Sequence, residues 1–176
     1  MRLLVTVVAL AALLAGCGGQ PDVIEPEPNE TVSDAVPAEP EPPALASEES
    51  PSGAVTFVQH WVNTLNYARA SGETAPLARL AARDCGGCLA YVDAIADLYG
   101  SGGYMRGGAW TMSDPEPVKR DSEVHIFVSV EWGTGEYVEA DGGDIAQIDP
   151  GSDELVFSLD RKAGEWVVEE LERVQE

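Results

Sequence analysis

The sequence predicts an α+β domain in which N-terminal helices pack on a curved antiparallel sheet. Apolar residues recur at helical spacing between residues 51 and 99, then at a spacing of two between about 110 and 173. Before residue 50 neither period is present. Helices followed by strands, without βαβ alternation, fit segregated layers rather than a parallel sheet.

The first element is a leader. Arg2 precedes an apolar run from Leu3 to Leu14, 12 residues long. As a helix it would reach roughly 18 Å at ~1.5 Å per residue. A hydrocarbon core of about 30 Å needs roughly 20 apolar residues, so the run suits a signal segment rather than a membrane span. The run closes on Leu14-Ala15-Gly16-Cys17, which resembles the lipobox of bacterial lipoprotein signal peptides. That resemblance implies a signal peptide over 1–16, cleavage after Gly16 and acylation of Cys17. Two or more acyl chains anchor firmly where one does not. The expected location is the extracytoplasmic face of the cell membrane.

Residues 17–50 are expected to be a lipidated cysteine followed by a disordered linker. The stretch carries Asp22, Glu25, Glu27, Glu30, Asp34, Glu39, Glu41, Glu48 and Glu49 with no Lys or Arg, and seven prolines between Pro21 and Pro43. Like charges repel and proline favours extended geometry, so fully stretched it would reach about 100 Å.

The folded domain is expected over 51–176. Ser50-Pro51 reads as an N-cap followed by proline at the first helical position. Val55, Val58, Val62 and Leu65, widened by Phe57, Trp61 and Ala68, form one apolar face that ends at Ser71-Gly72. Thr74 is expected to cap a short helix carrying Leu77 and Leu80. A third helix after Asp84 aligns Cys88, Val92, Ile95 and Tyr99 and stops at Gly100-Ser101-Gly102-Gly103. Val124, Ile126, Val128, Val130 and Trp132 alternate with polar residues as a half-buried strand. Leu155, Phe157 and Leu159 repeat the pattern, and Glu165–Arg173 returns around Trp166 and Val168. Trp110 and Met112 suggest an earlier strand broken by Pro115 and Pro117.

This succession resembles the NTF2-like (cystatin-superfamily) cone. The helical half, with Ala54, Phe57-Val58, Trp61, Leu65-Asn66-Tyr67-Ala68, Ser71-Gly72-Glu73, Leu77, Leu80 and the Cys85–Cys88 pair, is similar to a family of actinobacterial lipoproteins of unknown function. The resemblance implies location and fold and carries over no catalytic residue.

Charge excludes some partners. With 31 acidic against 10 basic residues the formal net charge is −21, which repels nucleic-acid phosphates and anionic headgroups. The expected membrane contact is therefore the anchor on Cys17, and the partner a protein or small molecule.

Cys85-Gly86-Gly87-Cys88 is the sharpest chemical motif. With Cys17 acylated these two cysteines remain, in an oxidising compartment, at a spacing a disulfide accepts. A structural disulfide pinning the third helix is expected. A redox-active pair is the alternative, since a helix N-terminus lowers thiol pKa. Zinc lacks a second ligand pair. His60 and His125 are expected to be exposed and solvated. Glu139, Asp141, Asp144, Asp149, Asp153 and Glu154 are expected to form a solvated acidic loop without the calcium spacing of an EF-hand. No catalytic residue, metal set or cofactor is assigned.

The leading expectation is a tethered binding or interaction module. The alternative is a small-ligand carrier or enzyme using the cone interior, with His60 or Asp93 at its mouth. Two of Trp61, Trp110, Trp132 and Trp166 lining an open cone would make an apolar ligand pocket plausible.

Overall fold

The structure is a computed structural model and describes residues 37–121 and 123–174; the expected signal peptide, Cys17 and most of the expected linker lie outside them. Helix α1 spans Pro51–Ser71. Ser50 caps it, its hydroxyl accepting from the Gly53 amide at 2.9 Å, and Gly72 ends it in the left-handed region with φ 79°. Ala54, Val58, Trp61, Val62, Leu65 and Ala68 are wholly buried along one face. Helix α2 covers Ala75–Arg79; Thr74 precedes it but makes no side-chain cap bond. Helix α3 runs Gly86–Gly100 with Cys85 at its N-cap.

The strands form two antiparallel sheets. β2 (Trp110–Arg120), β3 (Glu123–Trp132), β6 (Gly151–Lys162) and β7 (Glu165–Arg173) lie in that order. β1 (Gly102–Gly107), β4 (Gly135–Ala140) and β5 (Ile145–Ile148) form the second sheet in the order β1-β4-β5. The alternation of β3 is as read: Val124, Ile126, Val128 and Val130 are buried. On β7 the buried residues are Trp166, Val168 and then Leu171. The change of parity follows from the register shift opposite Ser158 and Leu159, which leaves Glu169 with no residue directly across from it on β6.

Several expectations change. The second sheet is new, because β1 is rich in glycine, β4 is short and carries two glutamates, and β5 has only four residues. β2 is one continuous strand: Pro115 falls in a bulge between Ser113 and Glu116, with Asp114 at φ 50°. As an edge strand, β2 tolerates prolines that would break a central one. The acidic cluster is not a single loop. Glu139 is on β4, Asp141, Asp144 and Asp149 lie in the turns either side of β5, and on β6 Asp153 pairs with Arg173 at 2.7 Å while Glu154 accepts from Ser129 at 2.6 Å.

The packed body also begins ahead of the expected boundary. Ala44–Ser47 form a 3-10 turn, and Ala46 is buried. The Trp166 indole N–H donates to the Glu48 carbonyl at 2.9 Å, and the Arg161 guanidinium donates to the Ser47 carbonyl at 2.9 Å. Gly53 permits the approach: a Cβ there would sit 2.1 Å from the Glu48 carbonyl oxygen. Residues 43–49 are thus a strap across α1 and β7, held by buried Ala46 and by the backbone carbonyls of Ser47 and Glu48, contacts that a linker-like composition does not reveal.

Candidate functional site

The helices close one part of the core and leave another open. Trp61 lies edge-on to Phe157, with ring centroids 5.1 Å apart, and edge-on to Tyr91 at 6.0 Å. Beyond Tyr91 the packing stops. A cavity of about 250 Å³ opens there, lined by Arg69, Tyr91, Ala94, Ile95, Met105, Trp110 and Trp132. A wider outer cleft of about 540 Å³ shares Arg69, Ala94 and Met105 and adds Asp97, Leu98, Ser101, Tyr137, Glu139 and Ile148. Together they form a cleft between α3, the end of α1 and both sheets.

Its aromatic wall is held from behind. Trp110 stacks on Trp132 with centroids 5.7 Å apart and planes 23° from parallel, and Tyr91 meets Trp110 edge-on at 5.5 Å. Asn66 uses its whole amide on the Trp110 backbone: its Nδ2 donates to the Trp110 carbonyl at 2.8 Å, and its Oδ1 accepts from the Trp110 amide at 2.8 Å. Trp132 spends its indole N–H on the Asp149 carbonyl at 3.0 Å. The rings are therefore fixed while their apolar surface faces the cleft, as in ligand pockets lined by aromatics with few placed polar groups.

Arg69 is the charged group of the inner cavity. Its Nε donates to the Met105 sulfur at 3.0 Å. Its guanidinium carbon lies 6.0 Å from the Trp110 ring centroid. Nη1 is buried without a hydrogen-bond partner. Burial holds the guanidinium below its usual range, against the opposing influence of the Tyr91 and Tyr99 hydroxyls. The Tyr99 hydroxyl donates to the Arg69 carbonyl at 2.6 Å, fixing the helix end from which the side chain leaves.

The residues singled out from the sequence lie elsewhere. Cys85 and Cys88 form a disulfide with Cα atoms 5.3 Å apart. Both are 1% exposed, shut off from the solvent access that thiol exchange needs. Of the two glycines between them, Gly87 answers to packing: a Cβ there would sit 2.0 Å from the Leu171 carbonyl oxygen, so α3 starts hard against β7, whereas one on Gly86 would meet open space. His60 corrects its expectation. It is buried, its Nδ1 has no partner, and it faces a separate cavity under the strap with Phe57, Leu80 and Trp166. Burial lowers its pKa, against a smaller opposing effect of Glu39. His125 is on the outer side of β3, its Nδ1 3.0 Å from the Ser158 hydroxyl. Asp93 is exposed on α3 and lines neither cavity. Among the described residues no cluster of three or more His, Cys, Asp or Glu could hold a metal.

Sequence reasoning missed Arg69 and Asn66 as site residues, and Tyr91 and Met105 altogether. The one signal available was the count of tryptophans, of which two do line the cleft.

The chain belongs to the family of unknown function DUF6318, whose model matches residues 30–172. No curated protein matches the sequence. Among solved structures, the intermembrane space region of the chloroplast protein ARC6 superposes with a TM-score of 0.56 at 12% identity, over 73% of this chain and 99% of that one. That likeness shows the fold alone. Aln2 from a Streptomyces species gives 0.46 at 15% identity, over 70% of this chain and 92% of that one. A protein of unknown function with a cystatin-like fold from Nostoc punctiforme gives 0.42 at 9% identity, over 66% of this chain and 86% of that one.

Proposed function

We propose that this protein is a lipoprotein tethered to the extracytoplasmic face of the membrane through Cys17, and that its domain binds a small apolar ligand in the α3 cleft. The observation that carries the binding reading is the cavity of about 250 Å³ walled by Tyr91, Trp110 and Trp132. Apolar surface of this kind is normally buried on folding, and here its supports are rigid and it is left open. The likeness of residues 50–99 to actinobacterial lipoproteins supports the tether, as does the leader ending at Cys17. The acidic, proline-rich stretch that follows then serves as a spacer. Binding is favoured over catalysis because both histidines lie away from the cleft.

Two measurements test this. A Cys17→Ser variant expressed in its own cell type should move from the membrane fraction to the soluble one; unchanged partition would remove the tether. For the cleft, an Ala94→Trp variant fills its entrance from an exposed position on α3. Uptake of the uncharged fluorophore N-phenyl-1-naphthylamine should fall at least about tenfold in that variant, the loss of roughly 1.4 kcal/mol of binding. Equal uptake by both proteins would sink the cleft reading.

A further inference from the structure

Arg69 sits oddly in this chain. Acidic residues outnumber basic ones 31 to 10, so carboxylates are in surplus. Elsewhere the surplus is used: Arg79 pairs with Glu39, Lys162 with Glu169 and Arg173 with Asp153. Arg69 forms no ion pair among the described residues. It has instead a thioether acceptor at Nε and a buried Nη1 with no acceptor. A thioether is a weak acceptor, and a guanidinium keeps its charge. Leaving such a donor unsatisfied away from water is costly, and an anion seated there would recover the loss through charge-assisted bonds.

We propose that the cleft takes a small molecule with an apolar, ring-containing body and one anionic head, the head seated on the Arg69 guanidinium and the body against Trp110, Trp132 and Tyr91. This deepens the ligand-binding reading above and rests on it. The position of the cation fits, since Arg69 borders both the inner cavity and the outer cleft. The planar fork of the guanidinium matches a carboxylate, sulfonate or phosphate oxygen pair. Asp97 and Glu139 line the outer cleft. They set the charge number: a second anionic group reaching outward meets two carboxylates, so the ligand carries one.

The test uses two fluorophores of the same scaffold, 1-anilinonaphthalene-8-sulfonate and uncharged N-phenyl-1-naphthylamine. The protein is the chain without residues 1–16 and with Cys17→Ser, which retains every described residue. The sulfonate should bind roughly tenfold tighter or more, the worth of a hydrogen bond to a charged group. Arg69→Met should abolish that preference, so that the two dyes bind with similar affinity, and a cooperative thermal transition near that of the unaltered protein reports that the fold is intact. Should Arg69→Met fail to fold, Arg69→Lys keeps the charge without the fork and should reduce the preference several-fold. Equal affinity of the two dyes for the unaltered protein overturns the anionic head and leaves the cleft standing. A preference that survives substitution of Arg69 does the same. Failure of both dyes to bind, or binding insensitive to Ala94→Trp, overturns the cleft reading and this proposal with it.

Discussion

Four tryptophans divide this domain into two regions. Trp61 and Trp166 belong to the closed region, where α1, the strap and the inner face of β3-β6-β7 meet. Trp61 is fully buried against Phe157, and Trp166 is buried beneath the strap. Trp110 and Trp132 belong to the open region, stacked on one another and half-buried. The residue type is the same in both; what differs is whether another element crosses over it. The strap closes the first region, while α3 stops short of closing the second. Apolar content alone therefore does not separate core from site; the test is whether rigid supports hold an apolar surface that nothing covers.

Substitutions in each region test the contrast. The largest effect is expected at Trp61: Trp61→Ala should cost about 3–5 kcal/mol of stability, as a large core truncation does. Urea denaturation measures it, and a loss below about 1 kcal/mol would mean that the closed region is not close-packed. Next is the disulfide. Cys85→Ser with Cys88→Ser should cost about 2 kcal/mol by loop-closure entropy for so short a loop. Dye binding should be unchanged in that variant, because the pair lies away from the cleft; lost binding would mean that the disulfide positions α3, which supplies Tyr91, Ala94 and Ile95 to the cavity.

Trp110→Ala should invert the pattern of Trp61→Ala. Its stability cost is expected near 1–2 kcal/mol, since the ring is only half removed from water. Uptake of N-phenyl-1-naphthylamine should nevertheless be lost. A variant that is strongly destabilised and still binds would exchange the roles of the two regions.

The smallest effect concerns pH. His60 is buried with its pKa lowered, chiefly by loss of water. A histidine whose folded pKa lies below its unfolded value near 6.5 favours the neutral form on folding. Its contribution is full above about pH 6.5 and declines as the pH falls from there through the folded pKa. Thermal melts between pH 7.5 and 5 should show this decline in the natural chain and a flatter profile in His60→Gln. Matching profiles would show that the strap opens enough to hydrate His60.

Much of the fold was legible because it rests on local rules. Ser50-Pro51 and Gly72 mark the ends of α1 whatever the helix packs against. The alternation of β3 and β6 is a period that only a half-buried strand satisfies. The β1-β4-β5 sheet was not legible, because three short strands from separated segments carry no period long enough to read. The strap was hidden for a related reason: Ala46 and the backbone of Ser47 and Glu48 do the packing, and their composition says linker. The site was less legible still. Arg69 looks in sequence like the basic residue expected in the last turn of any helix, and nothing local announces that its guanidinium turns to the Met105 sulfur instead of pairing with a carboxylate.

The cap expected from Thr74 is not made, whereas the helices, the caps of α1, the two long central strands, the pairing of Cys85 with Cys88 and the expectation of a lipid anchor at Cys17 can be read along the chain. These follow from short-range periodicity, cap chemistry and spacing. Which tryptophans are core, that His60 is buried, that residues 43–49 form a strap and that Arg69 lies in an aromatic cleft without an ion pair among the described residues emerge only from the assembled fold. The physical reason is burial. Whether a side chain is covered depends on which distant element lies across it, and that is a property of the assembled layers, absent from any window of neighbouring residues.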